Sequence, residues 1–197
     1  FFFANKKFFL YDNFKNPNGG GYKEINNELV REYDIFILPP WAIDYIFNNV
    51  KIDLFVNTYS FMDMRLEILK KYFDFIHLHS SDDSYFININ RYAKDTSGEL
   101  IKLSEYPYDD NWDCVISERS PIRYNQHLLL TQRKKSNFKN NIKQELKKLI
   151  PEEKKSFSSK EYITFSNIPI IGSIETIFRG ISRSLLIRLF GIKFLNK

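Results

Sequence analysis

Cysteine, glycine and proline are scarce in this chain, and it has no long apolar run; each shortage excludes something. The single cysteine, Cys114, rules out an intrachain disulfide framework and suits a reducing compartment. It lies in the apolar run Cys114-Val115-Ile116, where a thiol is expected to pack as a small, inert hydrophobe. Three of the seven glycines are spent together at Gly19–Gly21. A phosphate loop would need a strand before such a triplet, a set glycine spacing, and Lys-Ser/Thr opening a helix after it. Tyr22-Lys23-Glu24 comes next instead, so the segment from Asn16 to Gly21 reads as a surface turn. No apolar run approaches the ~18 residues of a membrane span. No leader segment is visible, and a chain that opens Phe1-Phe2-Phe3 without a Met gives that absence no weight.

What is present is the composition of a globular protein: 43% hydrophobic and 27% charged residues over 197 positions. That length allows one domain with an appendage. The net charge of +5 is uneven, because basic residues concentrate after Arg133. Aromatics are abundant, with 19 Phe and 12 Tyr, yet the Lys cluster is not interleaved with strand aromatics. A base-stacking platform needs that interleaving, so nucleic acid is not an expected partner.

Hydrophobic periodicity predicts an α/β order. Strands are expected at Phe8–Tyr11, Ile35–Leu38, Ile52–Val56 and Tyr85–Asn90. The run 35–38 is continuously apolar, as in a strand covered on both faces, and Pro39-Pro40 stops it. Leu66, Leu69, Tyr72, Phe73 and Ile76 recur at helical spacing. Ser80–Ser84 reads as a turn, and Asp95–Asp110 as a loop or lid. Asp113–Ser117 and His127–Thr131 are two further strands, expected to close the sheet as an antiparallel pair. The expected division is 1–135 for the sheet domain, 136–172 for a basic linker, and 173–197 for an amphipathic helix capped by Ser173. A weak helical pattern runs through Ile142, Leu146 and Leu149.

Polar residues gather where strands end. Asn88 and Asn90 share one face of their strand, and Arg91 and Tyr92 come next. Asn is a poor strand former, so two on one face imply a demand beyond packing. Amides and a guanidinium suit sugar hydroxyls or a nucleotide diphosphate, since Arg can hold phosphate through two parallel bonds. Gln126-His127 is the other polar pair; His127 is a candidate base because its ordinary pKa lies near neutrality, or a satisfied structural histidine. His77 and His79 stand two apart on a helix and face different ways. Cys, His and acidic residues nowhere fall at a zinc-ligand spacing, and no metal is expected.

Four stretches taken in order are similar to the sugar O-methyltransferase family. They are Leu38-Pro-Pro-Trp-Ala-Ile-Asp44, Asp53-Leu-Phe-Val-Asn-Thr-Tyr-Ser-Phe-Met-Asp-Met64, Asn88-Ile-Asn-Arg-Tyr92 and His127-Leu-Leu-Leu-Thr-Gln-Arg133. The resemblance spans residues 6 to 135. It implies a class I, Rossmann-like fold, S-adenosyl-L-methionine as cofactor, and a sugar hydroxyl in surface-glycan synthesis as acceptor, nucleotide- or lipid-linked. The family's glycine-rich cofactor loop and the acidic end of its second strand have no counterpart here. The resemblance therefore implies the C-terminal half of such a domain, with little activity of its own.

By the same resemblance Asp63, six residues beyond Asn57, is the candidate base, with His127 as its rival. Its plainer reading is a carboxylate in the first turn of the helix after it. Asn57 and Thr58 would lie near the reacting end of the cofactor, or simply cap their strand. Pro40 and Trp41 would border the adenine, Trp41 as a stacking wall or as a packed core side chain. Asn88, Asn90, Arg91, Tyr92 and Gln126 would hold the acceptor.

Two other classes compete. A basic amphipathic helix at 173–197 suits peripheral contact with the inner face of a membrane, so a membrane-associated interaction protein is one alternative to a cytoplasmic enzyme. A glycosyltransferase-like enzyme is the other, although no Asp-x-Asp motif is present: Asp82-Asp83 and Asp109-Asp110 are adjacent pairs.

Overall fold

A helical turn cuts the first strand short, and a proline pair limits the second. In the computed structural model, which describes residues 5–151 apart from 17, 18, 97, 122, 124 and 138, β1 is only Phe8–Phe9 and gives way to a helical turn, α1, at Tyr11–Phe14. The side chain of Asn13 turns the chain there, accepting the Leu10 N–H at 2.9 Å. Helix α2 (Asn27–Glu32) starts at Asn26, whose side chain accepts the Leu29 N–H at 2.9 Å and satisfies one orphan donor. β2 is Ile35–Phe36 and pairs in parallel with β1. The expected strands 8–11 and 35–38 are thus two residues each, and they form a sheet of their own. Ile37 is exposed, so this run is not the doubly covered strand that its apolar residues suggest. Beyond it Pro40 opens a 3-10 turn, Pro40–Tyr45. The segment is held by an aromatic cluster around Phe9 and Phe14, with Tyr22, Tyr33 and Tyr45 against it.

The main sheet begins with β3 (Ile52–Thr58). A 3-10 turn at Phe61–Asp63 leads to helix α3 (Leu66–His79), and β4 (Ser80–Arg91) returns parallel to β3. A parallel pair needs such a crossover. Leu69, Phe73 and Ile76 line the buried face of α3 at helical spacing. β5 (Ala93–Thr96) and β6 (Glu99–Lys102) form a hairpin where a loop or lid was expected, with Gly98 at φ 81° in its turn. β7 (Trp112–Arg119) and β8 (Gln126–Arg133) form the expected antiparallel pair, and α4 (Ile142–Lys148) comes after them. The order is β3-β4-β8-β7, with β8 antiparallel to both neighbours. The chain is therefore a mixed α/β protein with a mixed sheet.

Ser80–Ser84 is not a free turn but the irregular start of β4. Ile52 pairs with Ser80, and the next pair is Leu54 with Tyr85. The extra residues bulge, and Asp83 takes a left-handed φ of 62° that Asp tolerates better than most. The polar cluster is thus absorbed inside a strand.

One face of the sheet presents Phe55, Phe86, Leu129, Trp112 and Cys114 to α3, α4 and the segment around Tyr106 and Tyr108. Burying each large side chain contributes about 1.5–3 kcal/mol. The other face presents Leu54, Ile87, Leu128 and Leu130. Ile142, Leu146 and Leu149 lie in the first of these cores, so packing continues past the boundary expected at 135. Most of the linker expected at 136–172 and all of the helix expected at 173–197 lie outside the described residues. Among the described residues, no helix is long and apolar enough to cross a membrane.

Candidate functional site

Register, rather than sequence proximity, assembles the polar residues. Asn57 of β3 is opposite Asn88 of β4, and Asn90 of β4 is opposite His127 of β8. Paired residues point to the same face, and alternation brings Tyr92 to that face too. At the carboxyl ends of β3 and β4 these side chains form one buried network. Asn90 Nδ2 donates to Asn57 Oδ1 at 2.9 Å and also to Asn88 Oδ1. Asn57 Nδ2 donates to Ser60 Oγ at 2.7 Å, and Asn88 Nδ2 to the Tyr108 hydroxyl at 3.3 Å. The network leaves one acceptor open: Asn90 Oδ1 is buried and has no partner among the described residues. Such an atom costs roughly 1–3 kcal/mol unless something donates to it.

His127 borders the amides. Its Nδ1 is 3.2 Å from the Tyr92 hydroxyl and its Nε2 is 2.9 Å from Ser117 Oγ. Burial pushes the imidazole down to about 4; Glu145 favours the proton and Arg119 opposes it. The ring is therefore neutral at pH 7, with one nitrogen a donor and the other an acceptor. Burial raises the Tyr106 and Tyr108 hydroxyls well above the phenol range, so both stay protonated.

The remaining predicted residues lie elsewhere. Arg91 and Gln126 are opposite each other in register and alternate onto the other face, away from Asn90 and His127. Gln126 is buried, and its Oε1 has no partner among the described residues. Thr58 is exposed beside Asn57. Asp63 belongs to the 3-10 turn Phe61–Asp63 rather than to the first turn of α3, and it forms an exposed ion pair with Lys94 of β5. Pro40 and Trp41 open the 3-10 turn Pro40–Tyr45. Trp41 is 39% exposed, with ring centroids 4.5 Å from Tyr22 and 5.6 Å from Phe14. It belongs to the N-terminal aromatic cluster.

Several site residues were not legible in the sequence. Ser117 meets His127 only through the β7–β8 register. Tyr59 takes φ 66° just past β3, a costly conformation for an aromatic residue, and Arg123 lies 5.5 Å over its ring. Nothing in the local sequence marks either. Ser60, three residues after Asn57 in a turn-rich stretch, had a weak polar signal.

A cleft of about 610 Å³ opens at the opposite end of the sheet, near Lys51, Asp82, Arg133 and Lys134. Its charges are engaged. Arg133 holds Asp109 through two bonds of 2.9 and 3.1 Å and lies 5.2 Å over Trp112. Lys134 is 2.9 Å from Asp113, and Lys51 donates to the Leu78 carbonyl at 2.6 Å. Cys114 is buried, and burial pushes its thiol up to about 12. It is a packing residue rather than a nucleophile.

No protein-family model, no curated protein and no solved structure matches this chain.

Proposed function

We propose that this chain is the C-terminal part of an S-adenosyl-L-methionine-dependent O-methyltransferase domain, contributing the side of the site that receives a sugar hydroxyl. The observation that carries the reading is the polar network at the carboxyl ends of two parallel strands, with its open acceptor at Asn90 Oδ1. Ligands of open α/β sheets bind at those ends. The topology is in keeping with it: a strand–helix–strand unit finished by an antiparallel pair is the sheet end that the resemblance implies.

The described residues do not complete a cofactor site. The chain's one glycine cluster, at 19–21, lies outside the four-stranded sheet, and a Cβ added at Gly19 or Gly20 would meet nothing within 4 Å. It is an open turn, not a cradle. S-adenosylmethionine would supply the methyl group, and on this reading its main contacts come from outside the described residues. On the acceptor side, Asn90 Oδ1 would accept from a sugar hydroxyl, with Asn88 and Tyr92 beside it. His127, neutral at pH 7, and the carboxylate of Asp63 are the two groups able to take a proton.

Calorimetric titration of S-adenosylhomocysteine tests this, into the 197-residue chain and into the product of its complete reading frame. Binding to the second alone is expected. A folded complete product that does not bind overturns the reading and moves the chain to the glycosyltransferase-like or membrane-associated alternatives.

A further inference from the structure

The carboxyl end of β4 gathers two guanidinium groups. Arg91 is the last residue of β4 and is half-buried. Arg123 belongs to the connection between β7 and β8, and its carbonyl accepts the Gln126 N–H at 3.0 Å. Gln126 is opposite Arg91 in register, so the Arg123 backbone lies on the β8 side of β4. Its guanidinium lies on the β3 side, 5.5 Å over the ring of Tyr59. Tyr59 itself donates its N–H to the Ile89 carbonyl of β4 at 2.9 Å. The Arg123 side chain therefore reaches across the end of β4, where Arg91 stands. The ring it covers belongs to a residue at φ 66°, and such strained positions cluster at ligand sites.

Neither guanidinium is in an ion pair among the described residues, whereas the carboxylates nearby are taken. Asp63 is paired with Lys94, and Glu105 with Lys102. Asp95 and Glu99 accept the N–H groups of Gly98 and Leu66. Glu118 is exposed on β7, opposite Leu128. Two strand spacings, roughly 10 Å, separate β7 from β4. Exposed charges at that range are largely screened. Arg65 and Glu67, both exposed at the start of α3, carry opposite charges.

Arg91 is flanked by two acceptors that lack a donor. Asn90 Oδ1 is next to it in the chain, and Gln126 Oε1 is across from it in register; both are buried without a partner among the described residues. The two amides face opposite sides of the sheet, and the end of a strand is where one ligand can meet both. Such a ligand carries an oxyanion for the guanidinium groups and hydroxyls for the amides. A carboxylate offers two oxygens in one plane. A phosphate ester offers three around phosphorus, which lets two guanidinium groups share it.

We propose that Arg91 and Arg123 select a phosphate ester, so that the sugar received at this end is a sugar phosphate or diphosphate rather than a free sugar. The sugar's place rests on the methyltransferase reading; the phosphate contact is tested without the cofactor.

Calorimetry with the full 197-residue chain compares glucose, glucuronic acid and glucose 1-phosphate. The phosphate ester is expected to bind at least about tenfold more tightly than the other two, the equivalent of one charge-assisted bond. Arg91→Gln and Arg123→Gln should each remove about that factor and leave thermal unfolding unchanged. UDP-glucose and a polyprenyl-phosphate glucose in detergent then separate the two sources of phosphate. Tighter binding of either names the linkage, and equal binding of all three esters makes the phosphate itself the recognised group. Glucose or glucuronic acid binding as well as glucose 1-phosphate overturns the proposal, as does unchanged affinity in either variant or no binding of any phosphate ester. A complete product that binds glucose 1-phosphate but not S-adenosylhomocysteine keeps this site and loses the methyltransferase reading. One that binds S-adenosylhomocysteine and no phosphate ester does the reverse.

Discussion

At one end of the four-stranded sheet the buried polar network is uncharged; at the other, buried and half-buried carboxylates are held in ion pairs. The carboxyl ends of β3 and β4 carry three asparagines and a neutral histidine, bonded to one another or to nearby hydroxyls with one acceptor left over. The far end carries Asp113, buried, taking Lys134 at 2.9 Å and the backbone N–H groups of Asn140 and Lys139 at 2.7 and 3.0 Å. Burial alone would raise that carboxyl, but these bonds outweigh it and hold the group below the usual carboxylate range. The same competition, with Arg133 as the main partner, holds Asp109 low. The contrast separates two uses of buried polarity. The charges named at the far end are each partnered, and Asp113 ties β7 to the segment before α4, although Trp112 Nε1 there is buried with no partner among the described residues. The amide end leaves Asn90 Oδ1 without a partner inside a network of uncharged groups, and the proposed function rests on that open acceptor.

The contrast can be broken by comparing two substitutions. Asp113→Ala strands Lys134 and two N–H donors, and should cost about 3 kcal/mol in urea unfolding. Asn90→Ala strands only neutral acceptors, Asn57 Oδ1 and Asn88 Oδ1, while removing the acceptor that already lacks a partner, and should cost about 2 kcal/mol. Equal losses would mean that the amide end is as structural as the charged end.

Acid sharpens the same distinction. The folded-state pKa of His127 is about 4, below the 6.5 expected when unfolded. The unfolded chain therefore binds the extra proton between those values, and stability must fall as pH drops through that window. The His127 contribution is about 3 kcal/mol. Burial lowers His77 and His79 as well, so they act in the same direction. Asp109 and Asp113 are held low, so their stabilisation is lost only further down, as pH falls through their folded values. Unfolding midpoints measured from pH 7 to 4.5 should decline, and His127→Asn should flatten the decline without abolishing it. An unchanged slope in the variant would show that His127 is not buried neutral.

The sequence made the main sheet legible and the sites only partly so. The strands near 52–58, 85–90, 113–117 and 127–131 stood out because apolar runs of that length sit between clear turn residues. Helix α3 stood out by its period. The hairpin at 93–102 was missed because Thr96, Ser97 and Gly98 gave only the turn, while strands of four residues have too little alternation to register. The amide network was half visible. Asn88 and Asn90 announced themselves as poor strand formers on one face, but their bond to Asn57 depends on which strands pair and in what register. Arg91 and Gln126 adjoin the right residues in sequence and face away from them in space, because strand neighbours alternate. Trp41 shows a similar limit: its chemistry allowed stacking on a ligand or on other side chains, and the four-ring neighbourhood of Phe14, Tyr22, Tyr45 and Tyr11 was not readable from spacing.

The smallest stability effect is expected at Asp63, and there the two candidate bases separate. Asp63 is exposed and paired with Lys94 across the chain, so Asp63→Asn should change stability by no more than about 0.5 kcal/mol. In a catalytically complete protein the same change should leave substrate affinity near normal. If the Asp63 carboxylate takes the acceptor proton, kcat should fall by roughly a hundred- to ten-thousand-fold. His127→Asn removes the rival base but also its bonds to Tyr92 and Ser117, so it should alter stability and activity together. A loss of kcat in Asp63→Asn with unchanged unfolding assigns the proton to the exposed carboxylate at the rim. Full activity in that variant leaves the buried imidazole as the base, and then the pH–rate profile should follow a group titrating near 4, because only the neutral ring can accept.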